Sequence, residues 1–138
     1  MIDLPPCTEQ LASHYQVPVV IVAAIQKKEG GWPGAVIGPN RNGTYDLGVM
    51  QINTIWWDDK NPVDLRRYGI TPEKVRDDAC INIAVSTWIL RQNYDRFNDW
   101  FKAIAAYNAG PNNWEAGRKY AQDVAENINE LIQSHQHR

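Results

Sequence analysis

One glutamate, Glu29, occupies a position where a carboxyl group could act as a proton donor. It ends an apolar segment, residues 18–28, that predicts a helix, and the glycine pair Gly30-Gly31 follows it directly. The carboxyl end of a helix carries negative dipole charge, which disfavours a carboxylate there. We therefore expect this field and the apolar neighbours to raise the pKa of Glu29, as a general acid near neutral pH requires. On position alone, a solvated glutamate paired with Lys27 or Lys28 is the alternative.

Other catalytic groupings are missing from the sequence. It contains no G-x-S-x-G, H-E-x-x-H, P-loop or G-x-G-x-x-G pattern. Cys7 and Cys80 lie neither in a C-x-x-C pair nor beside a histidine, which argues against a metal or redox role. The two cysteines allow either one disulfide or two buried thiols. The residues therefore favour carboxylate chemistry with no cofactor and no metal.

Helices dominate the elements that must position Glu29. Asn42-Gly43 predicts a tight turn, and Thr44-Tyr45 is expected to open the return strand of a small hairpin. Thr8 is expected to cap the first helix, and Thr71-Pro72 marks the start of a long one. The predicted helices are 8–15, 18–28, 71–94, 100–108 and 114–134, with a short helical stretch over 55–58. Five or six helices and one hairpin predict a mainly α, or α+β, fold.

Composition narrows the class of protein further. The 138 residues predict a single domain over 1–138, and 43% hydrophobic with 22% charged residues excludes disorder. A net charge of −2 argues against nucleic acid, and no apolar run approaches the roughly 20 residues of a membrane span. Six Trp and six Tyr against two Phe suit the faces of sugar rings, with core packing as the alternative for each. Trp32, Trp56 and Trp57 are the candidates for stacking on sugars.

Three ordered motifs carry a family resemblance over residues 15–125. They are E-G-G-W at 29–32, L-G-V-M-Q-I-N at 47–53 and A-A-Y-N-A-G at 105–110. In this order the chain resembles the lytic transglycosylases of the SLT, or goose-lysozyme-like, type. It is most similar to the small enzymes of bacterial secretion and conjugation machines. Gly30 departs from the family pattern, which commonly has serine after the catalytic glutamate.

The middle segment is also similar to c-type lysozymes. N-R-N-G-T-Y-D-L-G-V-M-Q-I-N at 40–53, followed by Trp56-Trp57, matches the region of those enzymes that holds their second catalytic carboxylate. The resemblance implies that Asp46 lies across a cleft from Glu29, with the hairpin beside that cleft. The chain thus combines two patterns, since most lytic transglycosylases lack this second carboxylate.

The resemblance implies a lysozyme-like fold and a defined reaction. Glu29 would protonate the β-1,4 bridging oxygen between N-acetylmuramic acid and N-acetylglucosamine, and then take the proton of the muramic 6-hydroxyl, giving a 1,6-anhydro sugar. Asp46 would stabilise the cationic centre. The residues implied to contact the substrate are Tyr45, Gly48, Met50, Gln51, Asn53, Tyr107 and Asn108.

Two alternatives stay open. A muramidase would use Glu29 and Asp46 with water, and a non-catalytic glycan-binding or assembly module would keep only the fold. The partners implied are peptidoglycan strands and a protein of a secretion or conjugation apparatus, with the chain itself a monomer.

Access to peptidoglycan implies the periplasm or another exported location, although the chain shows no signal-peptide pattern of its own. Export also favours a Cys7–Cys80 disulfide.

Overall fold

The computed structural model describes residues 4–61 and 63–136, which contain six α-helices, a small three-stranded sheet and three 3-10 helices, Thr54–Trp57, Leu65–Tyr68 and Pro111–Gly117. The helices are α1 Thr8–Tyr15, α2 Val19–Glu29, α3 Pro72–Asp77, α4 Ala79–Phe97, α5 Trp100–Ala109 and α6 Arg118–Gln136. This confirms the mainly helical class with a small antiparallel sheet. The described residues form two compact units, one of residues up to Lys28 and from Thr87 onward, the other Glu29–Ser86. A single domain over residues 1–138 stays a prediction.

In the first unit, the apolar helix α2 makes side-chain contacts with α1 and α6. Val22, Ala24 and Ile25 of α2 are fully buried. The side-chain amide of Asn127 on α6 donates to the carbonyl of Ala24 at 3.3 Å. Lys28 pairs with Asp123 of α6 at 2.9 Å. The last long helix is therefore part of this unit's core.

Local capping signals define α5. The side chain of Asp99 accepts a hydrogen bond from the Lys102 amide at 3.1 Å, and Gly110 ends the helix at a φ of 89°. The neighbouring alanines Ala103 and Ala105 are fully buried, so a helix of small residues can lie close to its neighbours. The prediction of a helix starting at residue 100 is confirmed.

The second unit contains the sheet. Strands β1 Val36–Ile37, β2 Asp46–Leu47 and β3 Ile52–Asn53 are antiparallel in the order β1-β2-β3. The return strand begins at Asp46 rather than at Thr44-Tyr45, because Thr44 belongs to the turn. The backbone N–H of Asn40 donates to the Thr44 carbonyl at 2.8 Å. The third strand was not predicted.

The long helix predicted over 71–94 is wrong, since the structure has two helices. Asp78 separates α3 from α4 with an extended backbone, φ −102° and ψ 111°. Its side chain accepts from the Ile81 amide at 3.0 Å and so caps α4. A short acidic side chain that can bond to a nearby amide favours such an interruption. The Thr71 cap is confirmed, since its hydroxyl accepts from the Lys74 amide at 3.1 Å.

Two helix starts also differ from expectation. Cys7, not Thr8, is the N-cap of α1; Thr8 is buried, and its hydroxyl accepts from the Gln26 side chain at 3.3 Å. A 3-10 helix over Pro111–Gly117 precedes α6, which begins at Arg118 rather than near 114.

Within the described residues, no helix combines the length and apolar character needed to cross a bilayer.

Candidate active site

Glu29 is the last residue of α2, at the end of a helix whose middle is buried. Gly30 follows at a φ of 63°, a left-handed conformation that glycine adopts at little cost and that ends helices. The Glu29 side chain is half-buried. Lys27 and Lys28 form ion pairs with Glu130 and Asp123 of α6.

Asp46 lies at the start of β2, inside a hydrogen-bonded group that we call the Asp46 cluster: Asn40, Thr44, Asp46 and Asn53. The side-chain amide of Asn40 donates to Oδ2 of Asp46 at 3.3 Å, and the side-chain amide of Asn53 donates to Oδ1 at 3.1 Å. Both amides also donate to the Thr44 hydroxyl, at 3.1 and 2.9 Å. Each oxygen of the half-buried carboxyl group therefore has an amide donor, which fixes its orientation.

Strand pairing brings this cluster together. Asp46 is directly opposite Asn53 in the register of β2 and β3, so the two side chains lie on the same face of the sheet. The places of Asn40 and Thr44 in this cluster were not predicted from the sequence. The available signal was the hairpin, whose Asn42-Gly43 turn returns Asn40 towards the start of β2.

The connection between β2 and β3, residues 48–51, is a tight turn. The Gln51 amide donates to the Gly48 carbonyl at 3.2 Å, and the Gln51 side chain donates to the same carbonyl at 3.0 Å. Met50 is fully buried, so it packs in the core and offers no surface to a substrate. We call these residues the 48–51 turn.

Gly31 brings the segment after Glu29 against this turn. A β-carbon at Gly31 would lie 2.1 Å from the Gly48 carbonyl oxygen and 2.8 Å from that of Val49. Such distances are well inside van der Waals contact, so only glycine fits. The residue two positions after Glu29 therefore abuts the backbone of the 48–51 turn.

Asn82 on α4 supports the turn from another side, and sequence reasoning missed it. Its fully buried side chain donates to the Leu47 carbonyl at 2.8 Å and to the Val75 carbonyl at 3.0 Å. Its Oδ1 accepts from the Met50 amide at 2.9 Å. The only sequence signal was an asparagine between Ile81 and Ile83 in an apolar helix.

The aromatic candidates divide between surface and core. Trp32 is 56% exposed and Tyr45 is 39% exposed, so both offer faces to a ligand. Trp57 is buried, and its indole N–H donates to the Ile70 carbonyl at 2.8 Å. It is therefore a core residue rather than a stacking surface. Trp56 is half-buried.

Tyr107 and Asn108 occupy the last turn of α5, in the first unit. Tyr107 is half-buried and Asn108 is exposed. The structure thus assigns Glu29 and the Asp46 cluster to one unit, and these two residues to the other. Both cysteines, Cys7 and Cys80, are disulfide-bonded.

Within residues 4–61 and 63–136, no group of three or more His, Cys, Asp or Glu side chains is arranged to hold a metal ion. The chemistry that the site itself supports is that of carboxyl groups: Glu29 at a helix end, and an oriented Asp46. A pair of such groups is the equipment of glycosidic bond cleavage.

Comparison of the sequence with known proteins identifies a family. The model of the Transglycosylase SLT domain matches residues 6–130. The chain is 29% identical to Protein IpgF of Shigella flexneri over 120 residues, 86% of this chain and 76% of the relative. It is 30% identical to Invasion protein IagB of Salmonella typhimurium (strain SL1344) over 127 residues, 91% and 76% of the two chains. The X polypeptide of Escherichia coli (strain K12) is 30% identical over 122 residues, 86% and 69%.

Proposed function

Because this chain belongs to the transglycosylase SLT domain family, we propose that it is a peptidoglycan lytic transglycosylase. It cleaves the β-1,4 bond between N-acetylmuramic acid and N-acetylglucosamine. The observation that carries the proposal is the family match over residues 6–130, which includes Glu29 at the end of α2 and the 48–51 turn against which Gly31 packs.

Glu29 acts twice in this reaction. It first donates a proton to the bridging oxygen, so that the glycosidic bond breaks and the muramic ring gains oxocarbenium character. It then takes the proton of the muramic 6-hydroxyl as that oxygen bonds to the anomeric carbon. The product is a 1,6-anhydro sugar, the acid is regenerated, and no water is consumed.

Asp46 stabilises the positive charge that develops at the anomeric carbon. The support for this role is its orientation, because Asn40 and Asn53 each donate to one carboxyl oxygen. Preoriented charge is worth most where charge develops in the transition state. The residues proposed to contact the glycan strand are Tyr45, Gly48, Gln51, Asn53, Tyr107 and Asn108.

The orientation of the Asp46 carboxyl group also supports a second candidate function. An oriented carboxylate can act as nucleophile or stabiliser in a muramidase, with water completing the hydrolysis. The two candidates share Glu29 as the acid, and they differ in whether the product ends in an anhydro ring or a reducing sugar. Product chemistry therefore decides between them.

The cellular role follows from the substrate. One relative is named an invasion protein, and we infer that this chain opens the wall locally for a secretion or conjugation apparatus. It would act in the periplasm or another exported location. The disulfide between its cysteines is in keeping with an oxidising compartment.

Release of soluble fragments from dye-labelled peptidoglycan tests the catalytic role of Glu29. We expect Glu29→Gln to lower the rate by about 10²- to 10⁴-fold, the contribution of a positioned proton donor. Glu130→Gln is the matched control, because it makes the same change at an exposed ion-pair carboxylate of α6. Its rate should stay within about twofold of wild type, since surface ion pairs contribute little. Equal rates of release for both variants would refute the catalytic role of Glu29. No release by the wild type or by either variant would favour the glycan-binding module.

A further inference from the structure

We propose that Asn82 is a positioning residue for the active site, acting through the 48–51 turn on Glu29 and Asp46. The inference rests on the proposed function of those two carboxyl groups. Asn82 itself is buried in α4 and contacts neither the substrate nor the reacting atoms. The three hydrogen bonds of its side chain are all to backbone groups. One is to the Leu47 carbonyl, just before the turn, and one is to the Met50 amide, within the turn.

The side chain of Asn82 forms hydrogen bonds with backbone groups of three different segments. Its amide bridges Leu47, the residue after Asp46, and Val75 of α3 at 2.8 and 3.0 Å. Its Oδ1 takes the Met50 amide at 2.9 Å. One side chain thus ties the end of β2, the 48–51 turn and α3 to the first turns of α4. Buried polar groups of this kind are costly to leave unpaired, so the arrangement holds a single geometry.

The turn lies between two close contacts. On the Asn82 side, a β-carbon at Gly48 would lie 2.3 Å from the Asn82 amide nitrogen. At Gly31, a β-carbon would lie 2.1 Å from the Gly48 carbonyl oxygen. Two glycines therefore let backbone and side chain approach closely, in the order Gly31, turn, Asn82. A shift of the turn must displace Gly31, and Gly31 is two residues from Glu29.

The same displacement reaches Asp46. Leu47, whose carbonyl Asn82 holds, follows Asp46 in β2 and pairs with Ile52 of β3. Asp46 pairs with Asn53, the residue after Ile52. Loss of the Asn82 contacts would therefore loosen the register that brings the Asn53 amide to the Asp46 carboxyl group. One residue thus controls the position of both carboxyl groups.

Asn82→Leu tests the proposal, with Asn93→Leu as the matched control. Both asparagines are buried on α4, but Asn93 makes its bond to the Ala103 carbonyl, at 3.1 Å, in the other unit. Kinetics on soluble peptidoglycan strands, expressed per folded molecule, separate kcat from KM. Hydrogen exchange of the Met50 amide, followed by NMR, reports on the turn directly.

We expect Asn82→Leu to lower kcat roughly 10- to 100-fold relative to Asn93→Leu, with KM within about threefold. The reason is that a misplacement of about 1 Å in a catalytic group costs on that order. The Met50 amide should lose protection in Asn82→Leu alone. Equal kcat for the two variants, beside an active wild type, would overturn the role of Asn82. A wild type whose product release does not depend on Glu29 would overturn the proposed function instead.

Gly31→Ala gives an independent test if Asn82→Leu does not fold. It moves the turn from its opposite side and leaves the buried asparagine in place. The φ of Gly31 lies outside the left-handed region, and the three atoms nearest to an added β-carbon all belong to the turn. We expect the same fall in kcat with little change in KM. A Gly31→Ala enzyme with wild-type kcat would contradict the coupling between the turn and Glu29.

Discussion

Two asparagines in the same turn allow the role of the Asp46 cluster to be tested by a matched pair of substitutions. Asn40 donates to the Thr44 hydroxyl at 3.1 Å and to the Asp46 carboxyl group at 3.3 Å. Asn42 accepts from the Thr44 hydroxyl at 2.6 Å and from the Thr44 amide at 3.1 Å. Asn40→Ala and Asn42→Ala therefore each remove two side-chain hydrogen bonds of the hairpin. Only Asn40→Ala removes a hydrogen bond that the Asp46 carboxyl group accepts.

The magnitude follows from the contact that Asp46 loses. A hydrogen bond to a charged group contributes about 1.5–3 kcal/mol. The separation of 3.3 Å exceeds the usual range for N–H to oxygen bonds, so the lower end, about 1.5 kcal/mol, applies. If the bond holds the carboxyl group in place for the transition state, kcat can fall by at most about tenfold. Since Asn53 still holds the other oxygen, we expect a fall of roughly 3- to 10-fold.

The assay is kcat on soluble peptidoglycan strands, with the folded fraction of each variant measured by urea denaturation. Both variants should lose comparable stability, because both weaken the same turn. Only Asn40→Ala should lose kcat per folded molecule. Equal kcat in the two variants, or a greater loss in Asn42→Ala, would refute the reasoning that Asp46 is oriented for catalysis.

Three further outcomes follow from the structure. Gly30→Ser, which introduces the residue common in the family, should lower the free energy of unfolding by about 1–2 kcal/mol, measured by thermal denaturation, because a side chain is strained at a φ of 63°. Hydrogen bonds from Lys119 and Lys28 hold the pKa of Asp123 below its ordinary value. Its stabilising effect is therefore present above about pH 4 and lost as the pH falls through the folded-state pKa; in urea denaturation, the deficit of Asp123→Asn should shrink on acidification. Reduction of the disulfide should cost roughly 4 kcal/mol, from the loop between Cys7 and Cys80, whereas a Cys7→Ser/Cys80→Ser double variant should not respond to reductant.

Features that depend on local signals were predictable from the sequence. Glu29 at a helix end follows from an apolar run and the glycine behind it, and the structure ends α2 there. The start of α5 follows from Asp99, whose side chain caps it. The Asn42-Gly43 pair marked the hairpin turn. Each of these depends on residues within a few positions of one another, where capping and turn preferences act.

Features that depend on distant partners were not predictable in this way. Asn82 bonds to Met50, 32 residues away, and to Leu47, 35 residues away; no local pattern announces such contacts. The break at Asp78 was hidden because the apolar spacing of Val75, Ala79 and Ile83 continues across it. The third strand is two residues long, too short for an alternating pattern.

The most direct test of the central claim is the fate of solvent oxygen in the products. Purified peptidoglycan is digested in oxygen-18-labelled water, and the soluble fragments are weighed by mass spectrometry, with Glu29→Gln alongside. The lytic transglycosylase account predicts anhydro-muropeptides that carry no label and that are absent from the Glu29→Gln digest. Reducing-end fragments with one labelled oxygen would contradict it and show hydrolysis by water, as the muramidase candidate requires. Release unaffected by Glu29→Gln would exclude Glu29 as the proton donor.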